Sequence, residues 1–380
     1  LLFSFLTSKK VIGLKDIISV ISEYEEDERL ARNLGIVKND LNLLSSRSLY
    51  FNASELDFKI QNINSLNYDE SLDPINRANI AFKKFPRISE SEIATPKKVC
   101  EGLLDLIPES SVNNDSIFID LASNNGCMAM LIFSKYGTQN TNLHRNIYSV
   151  ATSETTYEMI KKVYEALNLP KENIIKHNHN ENFSKLEKRL ENLRFTHILA
   201  SPPWQRRDKG GRGDSASAIY DKYYNLCLKL EPNYFVLFLP SRWYMTGKGK
   251  GILPLRESIL NSKKIAVFND YLDPKVLNKI YDKQRGGVCS LLWQKEKDDY
   301  ICDFNNYIDN LDNPINSKRP LRFKNESKLV RFGLSILDKV QSKSKHFYSE
   351  KVLPRNYFKI PSAADLKSKL LDIPLKNVSR

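Results

Sequence analysis

The chain has 380 residues, 41% of them hydrophobic and 10% aromatic, which is enough to bury a large core and excludes an intrinsically disordered polymer. A formal net charge of +13 points toward a polyanionic partner, most often nucleic acid. The five cysteines (Cys100, Cys127, Cys227, Cys289 and Cys302) show no paired spacing, so they fit reduced intracellular thiols rather than a disulfide framework or a zinc site.

Residues 1–81 read as a helical N-terminal segment: in "LKDIISVISEYEEDERLARNLGI" apolar positions recur at helical spacing with charges between them. The opening "LLFSFLTSKK" lacks an initiator methionine and is too short, with its charges on the wrong side, for a signal peptide. No apolar run reaches bilayer length, so a cytoplasmic location without membrane association is expected. The closing "LLDIPLKNVSR" shows no domain ending, and the sequence reads as a fragment at both ends.

Beyond residue 88 the pattern becomes short apolar runs alternating with amphipathic helices. The runs are "SIFIDLA" (116–122), "NIYSVA" (146–151), "NIIKH" (173–177), "THILAS" (196–201), "YFVLFLP" (234–240), "KIAVFND" (264–270) and "GVCSLLW" (287–293). Helix candidates such as "TTYEMIKKVYEALNLP" and "SAIYDKYYNLCLKLEP" lie between them, each stopped by a proline. This alternation predicts an α/β domain over 82–300 with a mainly parallel sheet covered on both faces. The last two runs have no helix between them and predict an antiparallel addition at one edge. Residues 301–380 are polar and lysine-rich without clear periodicity, and no internal repeat is present.

In an open parallel sheet, ligands bind beyond the carboxyl ends of the strands, where strand order reverses. The loop "DLASNNGCMAM" after the first strand makes a tight turn in which backbone amides can approach a cofactor, although a plain strand-to-helix turn looks much the same. "ATSETT" offers Glu154, which could equally cap the next helix. "KHNHNENF" holds His177, Asn178 and His179; with no third metal ligand in sight, it reads as a solvated polar turn. The fourth strand ends in Ser201-Pro202-Pro203-Trp204. A strand ending at a proline is ordinary, since proline cannot donate to the ladder, but that accounts for neither the serine nor the tryptophan. "PSRWYMTGKGKG" after the fifth strand lacks phosphate-loop spacing, which excludes nucleoside triphosphate binding by that motif.

Ser/Asn/Asp-Pro-Pro-aromatic after a fourth strand is the motif of amino-methyltransferases, and the chain resembles type II restriction–modification DNA adenine-N6 methyltransferases. The resemblance rests on "FKKFPRISESEIATPKKV" (82–99), "SPPWQ" (201–205), "SASAIYDKYY" (215–224), "LPSRWYMTGKGKG" (239–251), "GGVCSLLW" (286–293) and "SILDKVQSK" (335–343), in family order. It implies a doubly wound, seven-stranded Rossmann-like methyltransferase domain using S-adenosylmethionine, followed over 301–380 by the start of a target-recognition region. Thr95 and Pro96 would then lie near the cofactor's methionine part, with Asp120, Ala122, Asn124, Gly126, Glu154 and Asn178 completing the cofactor site. Ser201, Pro202, Pro203 and Trp204 would hold a base flipped out of double-stranded DNA. Acceptors on Ser201 and on the Pro202 carbonyl would bind the amine hydrogens while the indole stacks on the ring. Arg206, Arg207, Lys209, Arg212, Arg242, Lys248 and Lys250 cluster near that cleft as candidate phosphate contacts, with solvated loop charge as the bland alternative. The loop 205–218 reads as a flap over the target strand.

The chain also departs from the family pattern. Leu121 stands where the family has proline and Asn124 where it has the first glycine. No acid ends the second strand around Ala151-Thr152-Ser153, Glu154 being out of register, and Asn178 or a neighbour stands where an aspartate is usual. Ser201 replaces the usual asparagine, and serine is commoner in cytosine-N4 enzymes. These departures open two alternatives: a degenerate, catalytically weak or inactive DNA-binding relative, and a cytosine-N4 methyltransferase.

Overall fold

The structure is a computed structural model and describes residues 1–46, 53–85, 94–178, 181–207, 216–245, 251–278, 286–324 and 326–343. Backbone contacts divide the chain into two compact units, Leu1–Leu329 and Val330–Arg380.

The first unit opens with helices α1 (Leu2–Leu6), α2 (Leu14–Glu23), α3 (Glu25–Asn33), α4 (Lys38–Ser46), α5 (Ala53–Asn64) and α6 (Pro74–Lys84). α6 starts where a sequence rule says it should: Asp73 accepts from the Ile75 and Asn76 N–H groups, and Pro74 occupies the first turn. Helix α7 (Lys97–Leu104) leads into the sheet, whose strands are β1 (Phe118–Ser123), β2 (Ile147–Ala151), β3 (Ile174–Lys176) and β4 (His197–Ala200). Helices α8 (Cys127–Tyr136), α9 (Glu154–Ala166) and α10 (Phe183–Leu190) fall between them. A two-stranded hairpin, β5 (Gln205–Arg207) and β6 (Ala216–Ala218), precedes α11 (Tyr220–Lys229), β7 (Tyr234–Pro240), α12 (Arg242–Met245) and α13 (Ile252–Leu260). β8 (Ile265–Tyr271), β9 (Val288–Gln294), β10 (Ile301–Tyr307) and β11 (Ile315–Pro320) complete the unit. The second unit contributes one described helix, α14 (Leu334–Lys343).

The main sheet is mixed and has nine strands in the order β11-β10-β8-β9-β7-β4-β1-β2-β3. All seven apolar runs are strands of it, but the seven-stranded expectation falls short by β10 and β11. These come from the polar stretch after residue 300. β10 alternates exposed and buried positions, with Cys302, Phe304 and Asn306 turned inward, and pairs parallel to β8. β9 is antiparallel as expected, yet it lies between β7 and β8 rather than at an edge, hydrogen-bonded to both. Two antiparallel partners satisfy its backbone on both sides, and "VCSLL" is buried throughout, as an interior strand requires.

Apolar side chains pack on both sheet faces. One face carries α8 and α9 and is continuous with Phe3, Phe5, Ile17, Leu30, Ile60 and Phe82 of the N-terminal helices. Residues 1–81 therefore share a core with the α/β domain. Polar contacts support this seam: Asn33 Nδ2 donates to Glu158 Oε1 at 2.8 Å, and Thr155 Oγ1 to the Asn33 carbonyl at 3.2 Å. The opposite face is covered by α10, α11 and α13 through Leu186, Tyr223, Cys227 and Ile259. No described helix is long and apolar enough to cross a membrane.

Candidate active site

Strand order reverses at β1, which lies between β4 and β2 with all three parallel. The loops after β1 and β4 therefore leave the same edge side by side, and they carry the two motifs that drew attention in the sequence.

After β1, Gly126 takes φ +78° to start α8, a conformation that favours glycine; an added Cβ would also lie 3.1 Å from the Val163 Cβ on α9. Asn125 is buried and its Oδ1 accepts from the Cys127 N–H at 3.0 Å, which ties the turn to the helix. Leu121 and Ala122 are buried, while Asn124 is half-buried. Asp120 is 7% exposed within β1 and accepts from the Ala122 N–H at 3.3 Å. Burial pushes its carboxyl up to about 6.

After β2, Ser153 caps α9 in a capping box with Thr156. Glu154 is thereby the first helical residue; it is exposed and ion-paired to Lys176 of β3 at 2.8 Å. The expectation of a solvated turn after β3 fails at His177, which is 1% exposed: its N–H donates to the Ala151 carbonyl and its ring meets Phe183 edge-on. Asn178 follows it, half-buried, and His179 lies outside the described residues. Among the described residues no group of three histidine, cysteine or acidic side chains could hold a metal ion.

After β4, Pro202 is buried, and Ser201, Pro203 and Trp204 are half-buried. The indole packs on Phe238 of β7 with ring centroids 6.1 Å apart. Thr95 approaches from the segment before α7, and its Oγ1 donates to Ser201 Oγ at 2.8 Å across 106 residues of sequence. Pro96 caps that helix.

Of the candidate phosphate contacts, Arg242 is exposed at the start of α12, immediately after β7. Arg206 and Arg207 belong to β5, whose pairing with β6 makes the predicted flap a hairpin base. Lys209, Arg212, Lys248 and Lys250 lie outside the described residues. Sequence reasoning missed Phe238 behind the indole and Lys176 opposite Glu154; both come from neighbouring strands and leave no local signal.

An uncharacterized adenine-specific methylase of Mycoplasma pneumoniae is 29% identical over 105 residues, 27% of this chain and 24% of that protein. The match thus spans about a quarter of the curated relative's length. The methyltransferase subunit of a type I restriction–modification system from Streptococcus thermophilus superposes with a TM-score of 0.50 at 12% identity, over 88% of this chain and 76% of that one. A chain from another type I restriction–modification assembly gives 0.50 at 12% identity, covering 77% and 62%. At such identity these structures establish the fold alone. A family model matches residues 38–276, more than half of the chain, from the N-terminal helices to beyond β8. The chain belongs to the Eco57I restriction-modification methylase family.

Proposed function

We propose that the chain is a site-specific DNA methyltransferase of a restriction–modification system, transferring a methyl group from S-adenosylmethionine to the exocyclic N6 of adenine in double-stranded DNA. The observation that carries this reading is that the Ser201-Pro202-Pro203-Trp204 segment and the Asp120–Gly126 loop follow adjacent parallel strands at the strand-order switch. The adenine specificity in the name of the Mycoplasma relative supports the choice of base.

The donor set fits the cofactor's chemistry. S-adenosylmethionine supplies an electrophilic methyl group and carries positive charge. The buried Asp120 carboxyl offers a counter-charge, while the turn through Ala122, Asn124 and Gly126 presents backbone. Thr95 and Pro96 would lie at its methionine end and Asn178 at its adenine. Glu154 would reach the ribose with the oxygen that Lys176 leaves free.

An exocyclic amine is a poor nucleophile because its lone pair is delocalised into the ring. Ser201 Oγ and the Pro202 carbonyl accept its two hydrogens and draw the nitrogen toward a tetrahedral geometry. Locked proline φ angles fix where that carbonyl points. Trp204, whose indole is tilted against Phe238, stacks on the flipped base. Arg206, Arg207, Lys209, Arg212, Arg242, Lys248 and Lys250 hold the DNA backbone. Residues 1–81 brace the cofactor half, and base-sequence readout falls to the region after 300.

One observation favours a second reading, a degenerate DNA-binding relative: no acid ends β2, and Glu154 is engaged by Lys176. The deciding experiment incubates the protein with S-adenosylmethionine and mixed-sequence DNA, then identifies nucleosides by mass spectrometry. N6-methyladenine is the expected product. N4-methylcytosine would move the target to cytosine, and unmodified DNA from a folded protein that binds the cofactor would overturn the enzymatic reading.

A further inference from the structure

The usual asparagine of this motif and the serine found here differ in a way that reaches beyond size. A carboxamide oxygen only accepts hydrogen bonds, whereas a hydroxyl carries its own proton beside two lone pairs. For Ser201 to accept an amine hydrogen, that proton must rest on some other acceptor, or it competes with the amine for the same space.

Thr95 is placed to resolve this conflict. It is 9% exposed, and α7, which begins two residues later, buries Val99, Cys100 and Leu103 against the core. Cys100 Sγ also donates to the Thr95 carbonyl at 3.7 Å. The threonine hydroxyl is thereby held 2.8 Å from Ser201 Oγ, to which it donates. Because each hydroxyl can both donate and accept, the bond can run in either direction without moving a heavy atom.

We propose that Thr95 is the positioning residue that makes Ser201 a competent acceptor. When the amine enters, the hydroxyl pair reverses: Ser201 donates to Thr95 Oγ1 and turns a lone pair toward the amine. One O–H···O bond replaces another, so neither hydroxyl gains or loses a proton. A donating hydroxyl is the stronger acceptor, because hydrogen bonds in a chain polarise one another. The inference rests on the proposed amino-methyltransferase reading of this site.

The test is a cycle of Thr95→Val, Thr95→Ser, Ser201→Asn and the Thr95→Val/Ser201→Asn pair. At saturating S-adenosylmethionine, Thr95→Val should lower kcat about tenfold, the scale of one lost hydrogen bond, while melting temperature stays near wild type. Thr95→Ser should restore the rate to within about twofold, having restored that bond. In the Ser201→Asn background, whose amide oxygen has no proton to dispose of, Thr95→Val should change kcat less than about twofold. An equal loss in both backgrounds would mean that Thr95 merely supports the fold, and would overturn the proposal. A second readout needs no turnover: NMR titration with 2′-deoxyadenosine and with purine 2′-deoxyriboside, which lacks the amine. Wild type should prefer the amine by roughly fivefold, a preference lost in Thr95→Val and kept in the double variant; an unchanged preference in Thr95→Val refutes the role. If wild type leaves DNA unmodified yet shows this nucleoside pattern, the enzymatic reading fails while the Thr95–Ser201 pairing stands.

Discussion

Replacing Asp120 with asparagine should make the protein more stable, by an amount that depends on pH. Burial raises the Asp120 carboxyl from an ordinary 3.8 to about 6 in the folded chain. Below 3.8 both folded and unfolded chains hold the proton and the group contributes nothing. As pH rises from there, the unfolded chain releases its proton first and the folded state loses stability until the pH passes about 6. The full loss is roughly 3 kcal/mol, of which about 1 kcal/mol develops between pH 5 and 7.5. Asparagine keeps an acceptor for the Ala122 N–H and has nothing to ionise. Urea unfolding of both proteins at pH 5 and 7.5 should therefore show the variant's advantage growing by about that amount. Parallel changes in the two proteins would refute the claim that Asp120 is buried as an ionisable group. The wild-type carboxylate is thus held at a cost that cofactor binding would recover, and S-adenosylmethionine affinity should weaken as pH falls below about 6.

The remaining predictions concern the turn and the indole. Gly126→Ala places a side chain at φ +78° and a methyl 3.1 Å from Val163, so it should cost ~2–3 kcal/mol in denaturant unfolding. Adding Val163→Ala should relieve the crowding and leave the backbone strain, showing a coupling of about 1 kcal/mol; strict additivity would place the whole penalty in the backbone. Trp204→Ala should abolish methyl transfer with cofactor affinity held within about twofold by calorimetry, if the indole stacks on the flipped base as proposed. An unaltered methylation rate would remove its stacking role.

What could be read from the sequence was what local chemistry dictates. Most of the seven strands announce themselves because both of their faces are buried and their residues are apolar, while short β3 ends in the exposed Lys176. β11 does not, since only Arg319 in it is fully buried and it is held by backbone pairing to β10. The antiparallel direction of β9 was legible from the missing crossover helix, but its place between β7 and β8 was not, because pairing partners leave no local trace. The same contrast holds at the site. Ser201 to Trp204 stand out by residue type, while the Thr95 bond spans 106 residues and the Lys176 partner of Glu154 sits on another strand. His177 was misread for a related reason: its polar neighbours suggest solvent, whereas Phe183 and the β2 backbone enclose it.

The position of β9 also bears on the order in which the molecule assembles. β8, β10 and β11 join the sheet only through β9, which is synthesised after β8. Until Gln294 has left the ribosome, β7 presents an open edge and β8 has no partner in the sheet, an arrangement that invites association with other chains. Three of the nine strands therefore wait on a seven-residue strand, and a nascent chain stalled before Val288 would expose the β7 edge while already carrying every residue of the Ser201–Trp204 motif.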